Sequence, residues 1–306
     1  MNTGARLGLY GLGLVVAFGG AFAVAGAAVP ESLVAGWQDQ ADSSTHGGDH
    51  AETPAPAEGE SSAAESQQGV TLDGSGLVLT DLAAPSTIAE AGELSMTIRD
   101  AAGEPVTAFT PDHERDLHLI AVRSDGSEFR HVHPTLDAAT GTWSTPWEWD
   151  AAGNYRVFAD FTTESGTPLT LSSTFDVAGD FAPVTAQPSL VSEVDGFTVT
   201  LDGDLTAGTP SEVAISVARD GKPVTALEPY LGAYGHLVAL RSGDLAFMHV
   251  HAEGEAPKAG STAGPELVFT ADAPTAGRYL LYLDFQVDGT VHTAEFVVDA
   301  AHGDTH

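Results

Sequence analysis

Cysteine is absent from the 306 residues, and lysine occurs only at Lys222 and Lys258. The first absence excludes disulfides, thiolate nucleophiles, iron–sulfur clusters and cysteine-based zinc sites. It does not fix a compartment, since exported proteins without disulfides exist. The scarcity of lysine belongs to a strongly acidic balance, 43 Asp and Glu against 11 Lys and Arg, for a net charge of −32. Phosphate recognition needs clustered Lys and Arg, so nucleic acid is not expected as a partner, and anionic lipid headgroups are repelled. Cations are attracted, although the same charge also serves solubility or salt adaptation. Sustained helical periodicity is missing beyond residue 30, and one long apolar run is present.

That run, residues 7–29, follows Arg6 and carries no charge. As a helix rising about 1.5 Å per residue it would cross a bilayer core of roughly 30 Å. Arg6 on one side and Glu31, Asp39 and Asp42 on the other orient the N-terminus to the cytoplasm and the rest outside. Residues 1–30 therefore read as a single-pass signal anchor. Ala25-Gly26-Ala27 supplies the alternative, a cleaved signal peptide and a secreted protein. Residues 31–69 read as a disordered acidic linker, with no Lys or Arg between 38 and 69. His46 and His50 within it read as solvated.

Short apolar runs separated by Gly, Pro, Asp and Ser occupy the remainder, about seven per hundred residues, as in a β-sandwich. They fall into two series, 70–180 and 188–299, around a proline-containing joint at 181–188. A disordered tail is expected at 300–306. The series repeat one another. Arg99-Asp100 and a following GEPVTAF match Arg219-Asp220 and GKPVTAL; Gly153-x-Tyr155 leading to Asp160-Phe161 matches Gly277-x-Tyr279 leading to Asp284-Phe285. The expected fold is all-β, two tandem immunoglobulin-like sandwiches built from one domain type used twice.

The closest internal match lies in LHLIAVRSDGSEFRHVHP (117–134) and GHLVALRSGDLAFMHVHA (235–252), where His118, His131 and His133 map onto His236, His249 and His251 at constant spacing. Each stretch reads as a hairpin of two alternating strands. A two-residue Asp125-Gly126 turn puts Ser124 opposite Ser127, Ile120 opposite His131 and His118 opposite His133. The three imidazoles then leave one face, with directly opposed Cβ atoms about 4.5–5.5 Å apart. Imidazole-only ligand sets suit copper or zinc, whereas calcium and magnesium prefer oxygen. One ion per repeat is the expected stoichiometry.

Asp160 and Asp284 end strongly apolar strands, where a carboxylate needs a partner. Each is a candidate fourth ligand, or an acceptor that fixes a histidine tautomer; a strand-end Asp bonding a loop backbone is the plain alternative. His113 and His292 have no counterpart in the other repeat and read as surface or satisfied core residues. Met248 points away from the histidine face, and Trp143, Trp147 and Trp149 read as core bulk.

The two histidine phrases, with the later Gly-x-Tyr…Asp-Phe strand, resemble bacterial exported or membrane-anchored heavy-metal-binding-type proteins with YtkA-like immunoglobulin-like domains. The resemblance covers about 90–178 and 210–299. It implies immunoglobulin-like sandwiches and a metal-related role, with His118, His131, His133, His236, His249 and His251 at the motif positions. Ala252 stands where the first copy has Pro134, so the first copy is the better defined.

The expectation is an extracytoplasmic copper- or zinc-binding protein for sequestration, sensing or delivery. Its partners are the metal ion and an exported or membrane protein, and it meets the membrane through its N-terminal segment only. The alternative is a non-metal cell-surface module that binds another protein. A three-histidine zinc site also activates water in metalloenzymes, but no general base, nucleophile elbow or cofactor fingerprint accompanies the histidines. An enzyme is not expected.

Overall fold

The computed structural model describes residues 69–303, apart from 255, 259 and the side chain of His249. The segment 1–30, the linker up to residue 68 and residues 304–306 lie outside the described residues. Nineteen strands and no helix occur among those described, so no described helix is long and apolar enough to cross a membrane. The first repeat comprises β1 (Asp73–Gly74), β2 (Leu77–Ala83), β3 (Gly92–Arg99), β4 (Phe109–Thr110), β5 (His118–Arg123), β6 (Arg130–Val132), β7 (Thr135–Asp137), β8 (Thr142–Trp147), β9 (Gly153–Thr163) and β10 (Pro168–Val177). The second comprises β11 (Val191–Val194), β12 (Phe197–Asp202), β13 (Ser211–Arg219), β14 (Lys222–Pro223), β15 (His236–Arg241), β16 (Phe247–Ala252), β17 (Glu266–Asp272), β18 (Gly277–Val287) and β19 (Thr290–Ala300).

In the first repeat one sheet runs β1-β2-β3-β8-β7 and the other β10-β9-β5-β6. That division, with the first, second and fourth long strands (β2, β3, β8) against the third, fifth and sixth (β5, β9, β10), is the immunoglobulin-like sandwich. Alternation in β3 sends Leu94, Met96 and Ile98 into the space between the sheets, where they meet Leu119, Val157 and the tryptophans 143, 147 and 149. In the second repeat β16 pairs both β15 and β17, so the strands form one continuous sheet, β11-β12-β13-β17-β16-β15-β18-β19 with β14 beside β13, around a core that takes Val213, Ile215 and Val217 of β13. Both repeats carry a tyrosine corner at the start of the penultimate strand. Tyr155 donates to the Ala151 carbonyl at 2.8 Å, and Tyr279 to that of Thr275 at 2.9 Å. The Gly-x-Tyr match in the sequence marks these corners.

The two repeats meet face to face. Every residue of β5 is buried, on both sides of the strand. Leu119 and Ala121 enter the first core, while Ile120 and Val122 join Phe158, Val238, Leu240, Leu280 and Tyr282 in a separate apolar cluster between the repeats. Reading 118–123 as alternating apolar and polar is therefore corrected: Leu119–Val122 is an unbroken apolar run because both faces are covered. The joint is tied down as well. The Val184 N–H donates to Asp125 at 2.7 Å, and Arg278 donates to the Ala186 carbonyl at 3.1 Å.

Candidate functional site

The histidine face of the first repeat starts from the β5–β6 ladder, which pairs Leu119 with Val132, Ile120 with His131 and Ala121 with Arg130. This is the expected register, and its continuation sets His133 beside His118. The turn differs. Arg123 N–H bonds Ser127 O, Gly126 N–H bonds Arg123 O, and Glu128 takes a positive φ of 57°. The tip is a broader loop, organised by the Asp125 carboxylate, which accepts from Ser127 and from Arg123. The ladder stops at Val132, and Pro134, which has no N–H to donate, follows it.

The partners of each ring determine its tautomer. His118 Nε2 lies 3.1 Å from the Asp112 carbonyl, which only accepts, so Nε2 carries the hydrogen and Nδ1 the lone pair. His131 Nδ1 lies 2.8 Å from Asp284 Oδ2, so the carboxylate takes Nδ1–H and leaves Nε2 bare. These two lone-pair nitrogens, His118 Nδ1 and His131 Nε2, stand 3.0 Å apart. His133 Nε2 joins them, 3.1 Å from His118 Nδ1, and the three ligand atoms lie within 4.8 Å of one another. Lone pairs do not face each other at 3 Å without a cation between them. Two nitrogens on one tetrahedral ion, each about 2.0–2.1 Å from it, lie about 3.3–3.4 Å apart. The two pairs that share His118 Nδ1 are within a few tenths of an ångström of that spacing, the third pair lies within 4.8 Å, and the donor set fits copper or zinc.

Burial keeps His118 and His133 unprotonated. Burial, followed by the neighbouring His131, pushes His118 down to about 4. His133 is pushed down to about 3, by burial and then by His131 and His118. Neutral imidazole is the form that binds metal.

The second copy is arranged differently. His236 repeats the anchoring of His118, donating from Nε2 to the Tyr230 carbonyl at 2.8 Å, and burial pushes it down to about 4. But β16 pairs β15 only at Phe247 and Met248, then runs along β17, with His251 opposite Thr270. His251 is exposed, and the side chain of His249 is outside the described residues. Among the described residues the triad of the first repeat is the one histidine or carboxylate group with metal-holding geometry. His236 instead faces the first copy, its ring centroid 6.4 Å from that of His131. The face of the first repeat thus points into the second repeat.

The two carboxylates also part company. Asp284 serves the opposite repeat through His131, and its other oxygen accepts from Thr293 at 2.6 Å. Asp160 accepts from Thr170 at 2.6 Å, and burial raises its pKa. A cavity of about 880 Å³ lies between the repeats, lined by His113, His118, His131, Asp160, His236 and His251. His113, read as an unmatched surface residue, is exposed, yet its ring stands 4.8 Å from that of His236. His292 is a satisfied core residue bonded to Asp195 at 2.7 Å. Met248 is buried in the core of the second sandwich, and the three tryptophans in that of the first. Tyr230 and Asp112, which anchor the lone histidines, were not legible as site residues; they act through backbone carbonyls that no side-chain pattern reports.

Among solved structures the chain is similar to the Escherichia coli adhesin FdeC, at 17% identity over 74% of this chain and 64% of that one, with a TM-score of 0.24. It is similar to the S-layer protein rSbsC(31-844), at 12% identity over 76% and 28%, with a TM-score of 0.23. The Yersinia pseudotuberculosis adhesin InvE matches at 14% identity over 72% and 58%, with a TM-score of 0.21. The chain spans less than two thirds of each, and likenesses this distant carry no functional argument. No curated protein matches the chain. One family profile matches residues 70–179 and again 192–302, more than half of the chain. Its description names no function and no metal. The chain belongs to the family described as a domain of unknown function, DUF8832, and carries that domain twice.

Proposed function

We propose that this chain is an extracytoplasmic immunoglobulin-like module that binds one copper or zinc ion at His118, His131 and His133. The observation that carries the reading is the pair of tautomer-locked lone pairs, His118 Nδ1 and His131 Nε2, 3.0 Å apart with His133 Nε2 beside them. The site serves metal sequestration, sensing or delivery rather than catalysis, and the partner is an exported or membrane protein that gives or takes the ion. The export signal is the apolar segment 7–29. Titration of the purified chain with Cu(II) and Zn(II), beside a variant with His118, His131 and His133 changed to Ala, tests it. Tight binding lost in the variant supports the proposal, and equal, negligible binding by both sinks it.

A second reading dispenses with the metal. A proton shared between His118 Nδ1 and His131 Nε2 would also relieve the facing lone pairs, with Asp284 as counter-charge. The triad then belongs to the contact between the repeats of a cell-surface interaction module, as the tandem immunoglobulin-like architecture favours. The same titration separates the readings, because this one predicts no tight metal equivalent.

A further inference from the structure

The contacts around the triad cross between the repeats in a matched pattern. Phe129, two residues before His131, stacks on Tyr282, two residues before Asp284, with centroids 4.0 Å apart. The equivalent pair, Phe247 and Phe158, meets edge-on at 5.8 Å. Tyr282 also donates to the Gly126 carbonyl at 2.6 Å. Gly126 has φ of +85°, and a Cβ there would stand 2.3 Å from Leu280 Cδ1, so the tip docks closely on the second sheet. In this frame the side chains of His131 and Asp284 are each 4% exposed, and Thr293 holds the far carboxylate oxygen.

We infer that Asp284 of the second repeat is the positioning residue for the triad of the first, so that metal loading is coupled to the docking of the two repeats. The inference rests on the metal reading proposed above. A carboxylate on Nδ1–H fixes the ring plane and makes Nε2 a better donor to a metal. A cation on Nε2 in turn strengthens donation from Nδ1 to Asp284, which lies across the interface. Linkage is reciprocal: docking raises metal affinity by the same factor by which bound metal favours docking.

The test uses the full chain, zinc competition titrations and long-range proton–nitrogen NMR of the metal-free histidines. Asp284→Asn is expected to weaken Zn(II) binding about 10–100-fold and to remove the single Nδ1–H tautomer of His131. Wild-type affinity together with an unchanged tautomer overturns the positioning role. If that variant does not fold, Thr293→Val leaves the carboxylate in place but untethered, with a several-fold loss and mixed tautomers expected; no change in either overturns the role equally. Tyr282→Phe removes only a remote interface bond. A lowered melting temperature with unchanged Zn(II) affinity overturns the coupling while leaving the positioning intact. If the wild type binds no zinc, the metal reading and the coupling both fall, and the His131 tautomer alone decides whether Asp284 orients the ring.

Discussion

The hairpins of the two repeats share a histidine spacing but not a path. In the first, the strand stays beside β5 as far as His131–Val132, and Pro134 separates it from β7. In the second, β16 runs unbroken from Phe247 to Ala252 and leaves β15 for β17 after Met248. A side chain's companions depend on the strand its backbone pairs with, so equal spacing yields a gathered triad in one repeat and an exposed His251 in the other. The contrast teaches that a metal motif is a property of register and strand path together.

The largest expected effect breaks the comparison at its centre. A hydrogen-bond partner of a ligand histidine is worth about 10–100-fold in metal affinity, so His118→Ala is expected to lose about 100-fold or more, read by competition titration. His251→Ala should leave the same titration unchanged. Next come the matched aromatic contacts. Phe158 is fully buried, and Phe158→Ala should cost about 3–5 kcal/mol in denaturant unfolding. Phe129→Ala, which breaks the matched contact with Tyr282 from a partly buried position, should cost less. The tyrosine corners give a smaller, sharper contrast. Tyr155→Phe loses a single bond, about 0.5–1.5 kcal/mol. Tyr279→Phe should exceed it, since that hydroxyl also accepts the Thr275 N–H at 3.3 Å.

The pH dependence follows from His118 and His236 at about 4 and His133 at about 3, all below the ordinary 6.5. The unfolded chain binds protons at these positions before the folded one does. The stability of the metal-free protein is therefore expected to be flat above about 6.5 and to fall as pH drops through the window down to about 4. Melting curves across pH 4–8 check this, with a shallower fall in His118→Ala. The smallest effect is Pro134→Ala, expected to weaken metal binding a few-fold by letting the strand continue as β16 does.

Much of the fold was legible because the patterns were local. Alternating runs marked the long strands, and the Gly-x-Tyr matches marked the corner of each sandwich. The β5–β6 register followed from placing the turn at Asp125-Gly126, although the tip is broader than a two-residue turn. The contact between the repeats was harder to read, although the runs Leu119–Val122 and Tyr279–Leu283 signal strands buried on both faces. Asp284 stood out as a carboxylate on an apolar strand, but which histidine it serves depends on docking between segments 153 residues apart, beyond any local pattern. The carbonyls of Asp112 and Tyr230 left no trace, since any residue supplies a carbonyl.

The most direct test of the account is the number of tight Zn(II) or Cu(II) equivalents bound by the full chain, measured for the wild type, His133→Ala and His251→Ala. The account predicts one equivalent, lost in His133→Ala and retained in His251→Ala. Two equivalents, one lost in each variant, would contradict the asymmetry between the repeats, and none in the wild type would contradict the metal site itself.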